Sequence, residues 1–169
     1  MKGLQSLLAG RFKLAVHFER RETQVLALVL DKPGKPGPKL YAHPEDVPCD
    51  VAKVSSDVFL PYCNTVQAVD RPNNSILMSG RNLTMLEVAK NLTPLTGYFE
   101  HPLVDQTGLD GRFDFSLQWT RGSNNSVPLD PQGTTIEEAL REQLGLKLKP
   151  TKVSMDTLVI DHIERLTEN

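Results

Sequence analysis

Thr135-Ile136-Glu137-Glu138-Ala139-Leu140-Arg141-Glu142-Gln143-Leu144-Gly145-Leu146-Lys147-Leu148 is the stretch that decides the fold class. Thr135 followed three residues later by Glu138 is a capping box, in which hydroxyl and carboxylate satisfy backbone N–H groups that a first helical turn leaves without partners. Ile136, Ala139, Leu140 and Leu144 then share one helical face, and Gly145 stands where a helix ends on a left-handed residue. Leu146 and Leu148 open a strand at once, with a period of two. Pro150 to Val153 turns that strand and Thr157 to Ile163 returns it, so this end of the chain predicts helix, strand, strand.

The same junction recurs at the other end. Leu4, Leu7 and Leu8 fall on one helical face, Gly10 takes the C-cap position, and Phe12, Leu14, Val16 and Phe18 alternate with Lys13, Ala15, His17 and Glu19. Arg20-Arg21-Glu22-Thr23 reads as a polar corner, after which the apolar run from Gln24 to Leu30 pairs back on the first strand. In the middle, Ser75 to Ser79 predicts a short strand. Thr84-Met85-Leu86-Glu87 is a second capping box, and Met85, Val88, Ala89, Leu92 and Leu95 give its helix an apolar stripe ending at Gly97. Leu103-Val104 is a further short strand. Asp110-Gly111 is a tight-turn pair before Phe113, Phe115, Leu117 and Trp119, which alternate with polar residues.

Between Lys32 and Thr65 the periodicity dissolves, because Pro33, Pro36, Pro38, Pro44, Pro48 and Pro61 deny the backbone the donors a ladder needs. The expected organisation of residues 1–169 is one domain with sub-units 1–31 (αββ), 32–74 (proline-rich loop and linker), 75–120 (βαββ) and 121–169 (αββ). The expected fold class is α+β, with repeated helix-plus-β-hairpin units whose helices pack on antiparallel or mixed sheets.

Several ordered motifs carry a resemblance. Leu8-Ala9-Gly10-Arg11-Phe12-Lys13-Leu14, the Met78-Ser79-Gly80-Arg81-Asn82-Leu83-Thr84-Met85 segment, the run from Val104-Asp105-Gln106-Thr107-Gly108 to Phe115, and Glu142-Gln143-Leu144-Gly145-Leu146 with Val159-Ile160-Asp161-His162 resemble the uncharacterised "soil-associated protein" family of bacteria. That resemblance implies export to the periplasm or beyond and a link to membrane sensor peptidases. Thr134 to Leu140 leading into Leu144-Gly145-Leu146 is also similar to the short βαββ modules at the N-terminus of secretins and TonB-dependent receptors, which bind proteins or peptides.

Composition removes several function classes. Nineteen Lys plus Arg against twenty-one Asp plus Glu leave a net charge of -2, with no global positive field to hold nucleic acid or anionic lipid. No stretch approaches the roughly 18 apolar residues of a membrane helix, and the pattern from Met1 to Arg11 is not expected to act as a signal peptide, because Arg11 interrupts its short apolar run. Cys49 and Cys63 either remain free thiols or form a bridge closing a loop of about 15 residues, worth roughly 3 kcal/mol. Both readings stay open.

No local motif specifies a reaction. His17, His43, His101 and His162 lack metal-site spacing, and Asp105, Asp110 and Asp114 miss the ligand positions of a calcium loop. There is no G-x-S-x-G, no phosphate loop, and no cysteine-protease context around either cysteine. Arg11, Arg20 and Arg21 read as a solvated corner, and Trp119 as core. The expectation is therefore no catalytic, metal or cofactor residues, and a binding or sensing module that recognises a protein or peptide through an exposed sheet edge or the proline-rich loop. The alternatives are a hydrolase whose site is assembled from separate loops, its mark being a deep pocket that holds two or more of His17, His101, His162 and the loop acids within hydrogen-bond reach, and a structural fragment of a larger sensor polypeptide.

Overall fold

Phe113, Phe115, Leu117 and Trp119 point to one side of a strand whose two neighbours bury it. In the computed structural model, which describes residues 2–44, 63–96, 99–123, 127–128 and 133–165, the chain divides into two compact units. One comprises Met1–Gln24 with Lys152–Asn169, the other Val25–Thr151. The architecture is mixed α+β and mostly strand.

The larger unit, Val25–Thr151, is built on a four-stranded antiparallel sheet. Its strands are β2 (Leu40–Ala42), β3 (Thr65–Arg71), β4 (Ser75–Leu83) and β6 (Phe113–Thr120), in the order β2-β6-β4-β3. Strand β4 is central and buried on both faces from Ile76 to Arg81, which explains why its sequence does not alternate. Strands β3 and β4 form a hairpin whose reversal places Asn73 and Asn74 in the left-handed region (φ 59° and 53°), a conformation asparagine tolerates. Helix α2 (Met85–Thr96) lays Met85, Val88, Ala89 and Leu92, all buried, into the core. Burying the Met85, Val88 and Leu92 side chains stabilises by roughly 1.5–3 kcal/mol each. Its capping box is formed: Glu87 Oε2 accepts from Thr84 N at 2.8 Å and Glu87 N donates to Thr84 Oγ1 at 3.3 Å.

Helix α3 (Ile136–Ala139) starts on the Thr135–Glu138 capping box and runs into a π turn at Leu140–Leu144. Gly145 closes it with φ 68° and its N–H on Leu140 O. Ile136, Ala139, Leu140 and Leu144 are buried beside Trp119, which is itself 1% exposed and belongs to the core as its alternation predicts.

A second sheet has the order β5-β1-β9, from β1 (Ala15–Leu30), β5 (Leu103–Asp105) and β9 (Leu146–His162). Leu26, Ala27 and Leu28 of β1 pair in parallel with Leu103, Val104 and Asp105. A small antiparallel ribbon pairs β7 (Gly122–Ser123) with β8 (Val127–Pro128).

The hairpins expected at both ends are corrected. Residues 15–30 are one strand, with no reversal at Arg20-Arg21-Glu22-Thr23, and residues 146–162 are likewise one strand, with no turn at Pro150. The four corner residues are polar because the strand is exposed there, and none supplies the left-handed backbone a tight reversal uses. Proline is accepted at position 150 because β9 lies at the end of the sheet order, where a missing donor breaks no ladder bond. Each strand takes the other as its neighbour instead of folding on itself. Gly10 is not a C-cap either: α1 (Lys2–Phe12) runs past it, and Lys13 takes the left-handed position, φ 50°.

The proline-rich stretch is also more regular than expected where it is described. Lys32 and Lys35 form a bridge, Gly37 N donates to Leu144 O and Lys39 N to Gln143 O, both at 2.8 Å, before β2 begins. Strand β3 occupies the end of the predicted linker. Residues 45–62, including Cys49, lie outside the described residues.

In the smaller unit, α1 precedes the first part of β1, and β1 and β9 run antiparallel, as shown by His17 meeting Asp161 while Arg20 meets Asp156. Every buried side chain among the described residues belongs to the other unit.

Candidate binding groove

Within the Val25–Thr151 unit, the helix-to-strand junction that decides the fold also shapes a cavity. Glu137, Leu140 and Arg141 are spaced i, i+3 and i+4, so they form one ridge of α3 and its π turn. Leu148 and Pro150 lie two apart on β9, and Leu26 comes from β1 beside it. Together with Lys147 these residues line a groove of about 400 Å³. Leu26, Leu140, Leu148 and Pro150 give it apolar walls. Glu137, Arg141 and Lys147 supply charges of both signs.

Three local features hold that geometry. The π turn offsets Leu140 from Leu144, and such turns are frequent at functional sites. The left-handed Gly145 starts β9 directly behind the helix, and its N–H still closes on Leu140 O. Lys147 Nζ sits 3.6 Å from Asp31 Oδ1 and donates to Asp31 O at 3.4 Å, tying the start of β9 to the end of β1. Because β9 ends the sheet order β5-β1-β9, the backbone groups on its outer side face no further strand of this sheet among the described residues. Chemically, the lining offers apolar contact, one carboxylate and two cations among the described residues, with no hydroxyl, thiol or imidazole side chain among them.

The histidines are not brought together. His17 is exposed on β1, its Nδ1 at 2.8 and 2.9 Å from the two carboxylate oxygens of Asp161. The hydrogen bond and negative charge of Asp161 raise its pKa above the usual imidazole value. His162 Nε2 lies 3.1 Å from Glu164. His101 stands between α2 and β5, and none of the four lines the groove.

His43 is a pairing that the sequence reading missed. Its Nδ1 is 2.7 Å from Asp114 Oδ1, and both side chains are largely shielded from solvent. The same Oδ1 accepts from Asn82 N at 2.9 Å, and Arg81 Nε lies 4.0 Å from Oδ2. Asn82 has φ 56° and sits inside the register shift between Gly80 and Leu83. Asp114 therefore satisfies a backbone donor that the bulge takes out of the ladder, while it also contacts the His43 ring and has the Arg81 guanidinium to offset its charge. The one local signal was Asp114 standing among the inward-facing aromatics of β6. Its partners lie 71 and 32 residues away in sequence.

The other acids have local roles. Asp105 Oδ1 accepts from Thr107 N at 2.9 Å and Thr107 Oγ1 at 2.8 Å, an Asx turn before the left-handed Gly108. Glu87 and Glu138 are held below the ordinary carboxylate range by hydrogen bonds from Thr84 and Thr135 respectively. Among the described residues no group of three or more His, Cys, Asp or Glu is placed to hold a metal ion. Cys63 is disulfide-bonded, and Cys49, the other cysteine of the chain, is outside the described residues. Arg20 and Arg21 lie in mid-strand, beside Asp156 and Glu19, instead of at a corner. No helix among the described residues is long and apolar enough to cross a membrane.

No curated protein and no solved structure matches the chain. A family model does match, over residues 1–163, nearly the full length. The chain thus belongs to the family described as protein of unknown function (DUF3738).

Proposed function

We propose that this chain is a non-catalytic module that binds an extended segment of a protein or peptide along the first residues of β9. One observation carries the reading: a strand at the end of its sheet borders a groove with apolar walls and charges of both signs. An added strand takes backbone hydrogen bonds from the edge, and alternate side chains enter the groove beside it, which is how sheet edges recognise peptides. Leu148 and Leu26 would receive an apolar side chain, while Arg141 and Lys147 favour an acidic flank. Pro150 removes one donor from the edge and so limits how far the added strand can pair.

The resemblance to the soil-associated family extends this to an exported protein whose partner is a membrane sensor peptidase. The likeness in sequence of residues 7–14 and 140–148 supports duplication of a small unit, since each stretch leads into or opens a long strand and the two strands are neighbours in one sheet.

The test is selection from a random peptide library, followed by chemical-shift mapping and calorimetry of the selected peptides. Shifts should cluster at Leu26, Arg141 and residues 146–150. Leu148→Asp and Arg141→Glu should each weaken binding about tenfold, or 1.4 kcal/mol. Peptides that map elsewhere, or bind both variants undiminished, would sink the groove reading, and turnover in a broad hydrolase screen would sink the non-catalytic one.

A further inference from the structure

In the unit formed by Met1–Gln24 and Lys152–Asn169, the β1–β9 ribbon has one face whose apolar side chains stay exposed among the described residues. The Arg20–Asp156 ion pair, 3.5 Å, places the even-numbered residues of both strands on the same side, and the His17–Asp161 contact places the odd ones on the other. The even face therefore carries Val16, Phe18 and Arg20 from β1 next to Asp156, Leu158 and Ile160 from β9. Phe18 is 69% exposed, Ile160 58%, Leu158 52% and Val16 41%. Four large apolar side chains side by side are an exposed patch of the kind that marks an interaction surface. The unit also has no buried side chain among its described residues. Domains of roughly 40 residues usually need oligomerisation or a covalent or metal staple to be stable.

We infer that this face is a homodimer interface, occupied by the same face of a second copy of the chain. The argument for that occupant is charge. One end of the patch carries a cation beside an anion, Arg20 and Asp156, with side chains 79% and 68% exposed. A two-fold rotation brings Phe18 of one copy against Leu158 and Ile160 of the other, and brings each Arg20 to the partner copy's Asp156. A surface that is apolar at its centre and carries both signs at its margin is complementary to itself, as a two-fold interface requires. An anionic lipid surface is a poorer match, because Asp156 and the net charge of -2 oppose it. None of these residues lines the groove described above, so the two sites are tested independently.

The experiment is sedimentation equilibrium on the full chain from about 1 to 100 µM, a range that brackets micromolar association. Wild type should be a dimer in the upper part of that range. Phe18→Asp and Ile160→Asp, at exposed positions and checked for an unchanged circular dichroism spectrum, should each weaken association at least tenfold, as for removal of an interface anchor. Arg20→Asp alone and Asp156→Arg alone should each weaken it, and an equimolar mixture of these two variants should regain it, since each then meets its opposite charge across the interface. A wild type that stays monomeric at about 100 µM overturns the inference. So does a dimer indifferent to Phe18→Asp and Ile160→Asp, a mixture that fails to recover, or a monomer that instead floats with vesicles containing phosphatidylserine.

Discussion

A side chain at Gly145 would be opposed twice. Its φ of 68° lies where an L-residue loses about 1–2 kcal/mol, and a Cβ there would stand 2.5 Å from Gly37 N and 3.0 Å from Pro36 C. Gly145→Ala should therefore cost more than about 2 kcal/mol, read as a lower urea midpoint with an unchanged slope. Gly10→Ala should do the opposite. That residue lies inside α1 with nothing within 4 Å of a Cβ, so the substitution should stabilise the helix by up to about 1 kcal/mol. In sequence the two glycines occupy equivalent places after a leucine-bearing helix. Only the first tertiary neighbours, the Gly37 backbone in one case and open space in the other, tell them apart. His17 gives a second test at this scale. Asp161 raises its folded pKa above the unfolded value, so its stabilising contribution is complete below the unfolded value and is lost as pH rises through the folded one. The His17 ring protons should titrate above the ordinary imidazole range by NMR, and Asp161→Asn should bring them back. A His17 titration unmoved by Asp161→Asn would remove this pair from any account of the ribbon.

At the level of elements, the readable parts of the sequence were those whose signals are local. Both capping boxes, the alternation of β6 and the short strand β5 lie where a few adjacent residues place them, because hydroxyl-to-backbone bonds and a period of two need no distant partner. Strand β3 was hidden because only Val66 among its seven residues is buried, leaving no apolar alternation to read. The groove was hidden for another reason: Leu26 meets Leu140 and Leu148 more than a hundred residues downstream, and nothing local announces that meeting. The unbroken course of β1 is the element most at odds with its sequence, and it can be tested directly. If residues 20–23 were a corner, replacing Arg21-Glu22 by Asn-Gly would supply the favoured two-residue reversal and be tolerated. In a continuous strand the same double substitution puts glycine into a ladder and lowers protection of the Val16 to Gln24 amides, with an expected loss of about 1 kcal/mol or more. Hydrogen exchange resolved by residue distinguishes the two outcomes.

For the whole molecule, the uneven distribution of buried side chains predicts uneven stability. Among the described residues, all of the hydrophobic core, from Val25 to Leu146, lies in one compact unit, while the other holds its two strands by backbone pairing and exposed ion pairs. Exposed ion pairs contribute about 0–1 kcal/mol, so the Met1–Gln24 and Lys152–Asn169 unit should open well below the global unfolding free energy. Native-state hydrogen exchange should then show two levels: amides of β4 and β6 exchanging only through global unfolding, and amides of residues 15–24 and 152–162 through a cheaper local opening. Leu117→Ala, which empties a fully buried position of β6, should lower the first level by about 2–5 kcal/mol. The second level should instead depend on protein concentration, because the self-association inferred for the Phe18–Ile160 face stabilises only the copy that has formed it. A single exchange level across both units, equally lowered by Leu117→Ala, would mean that the ribbon draws its stability from the core after all and that its exposed face needs no partner to persist.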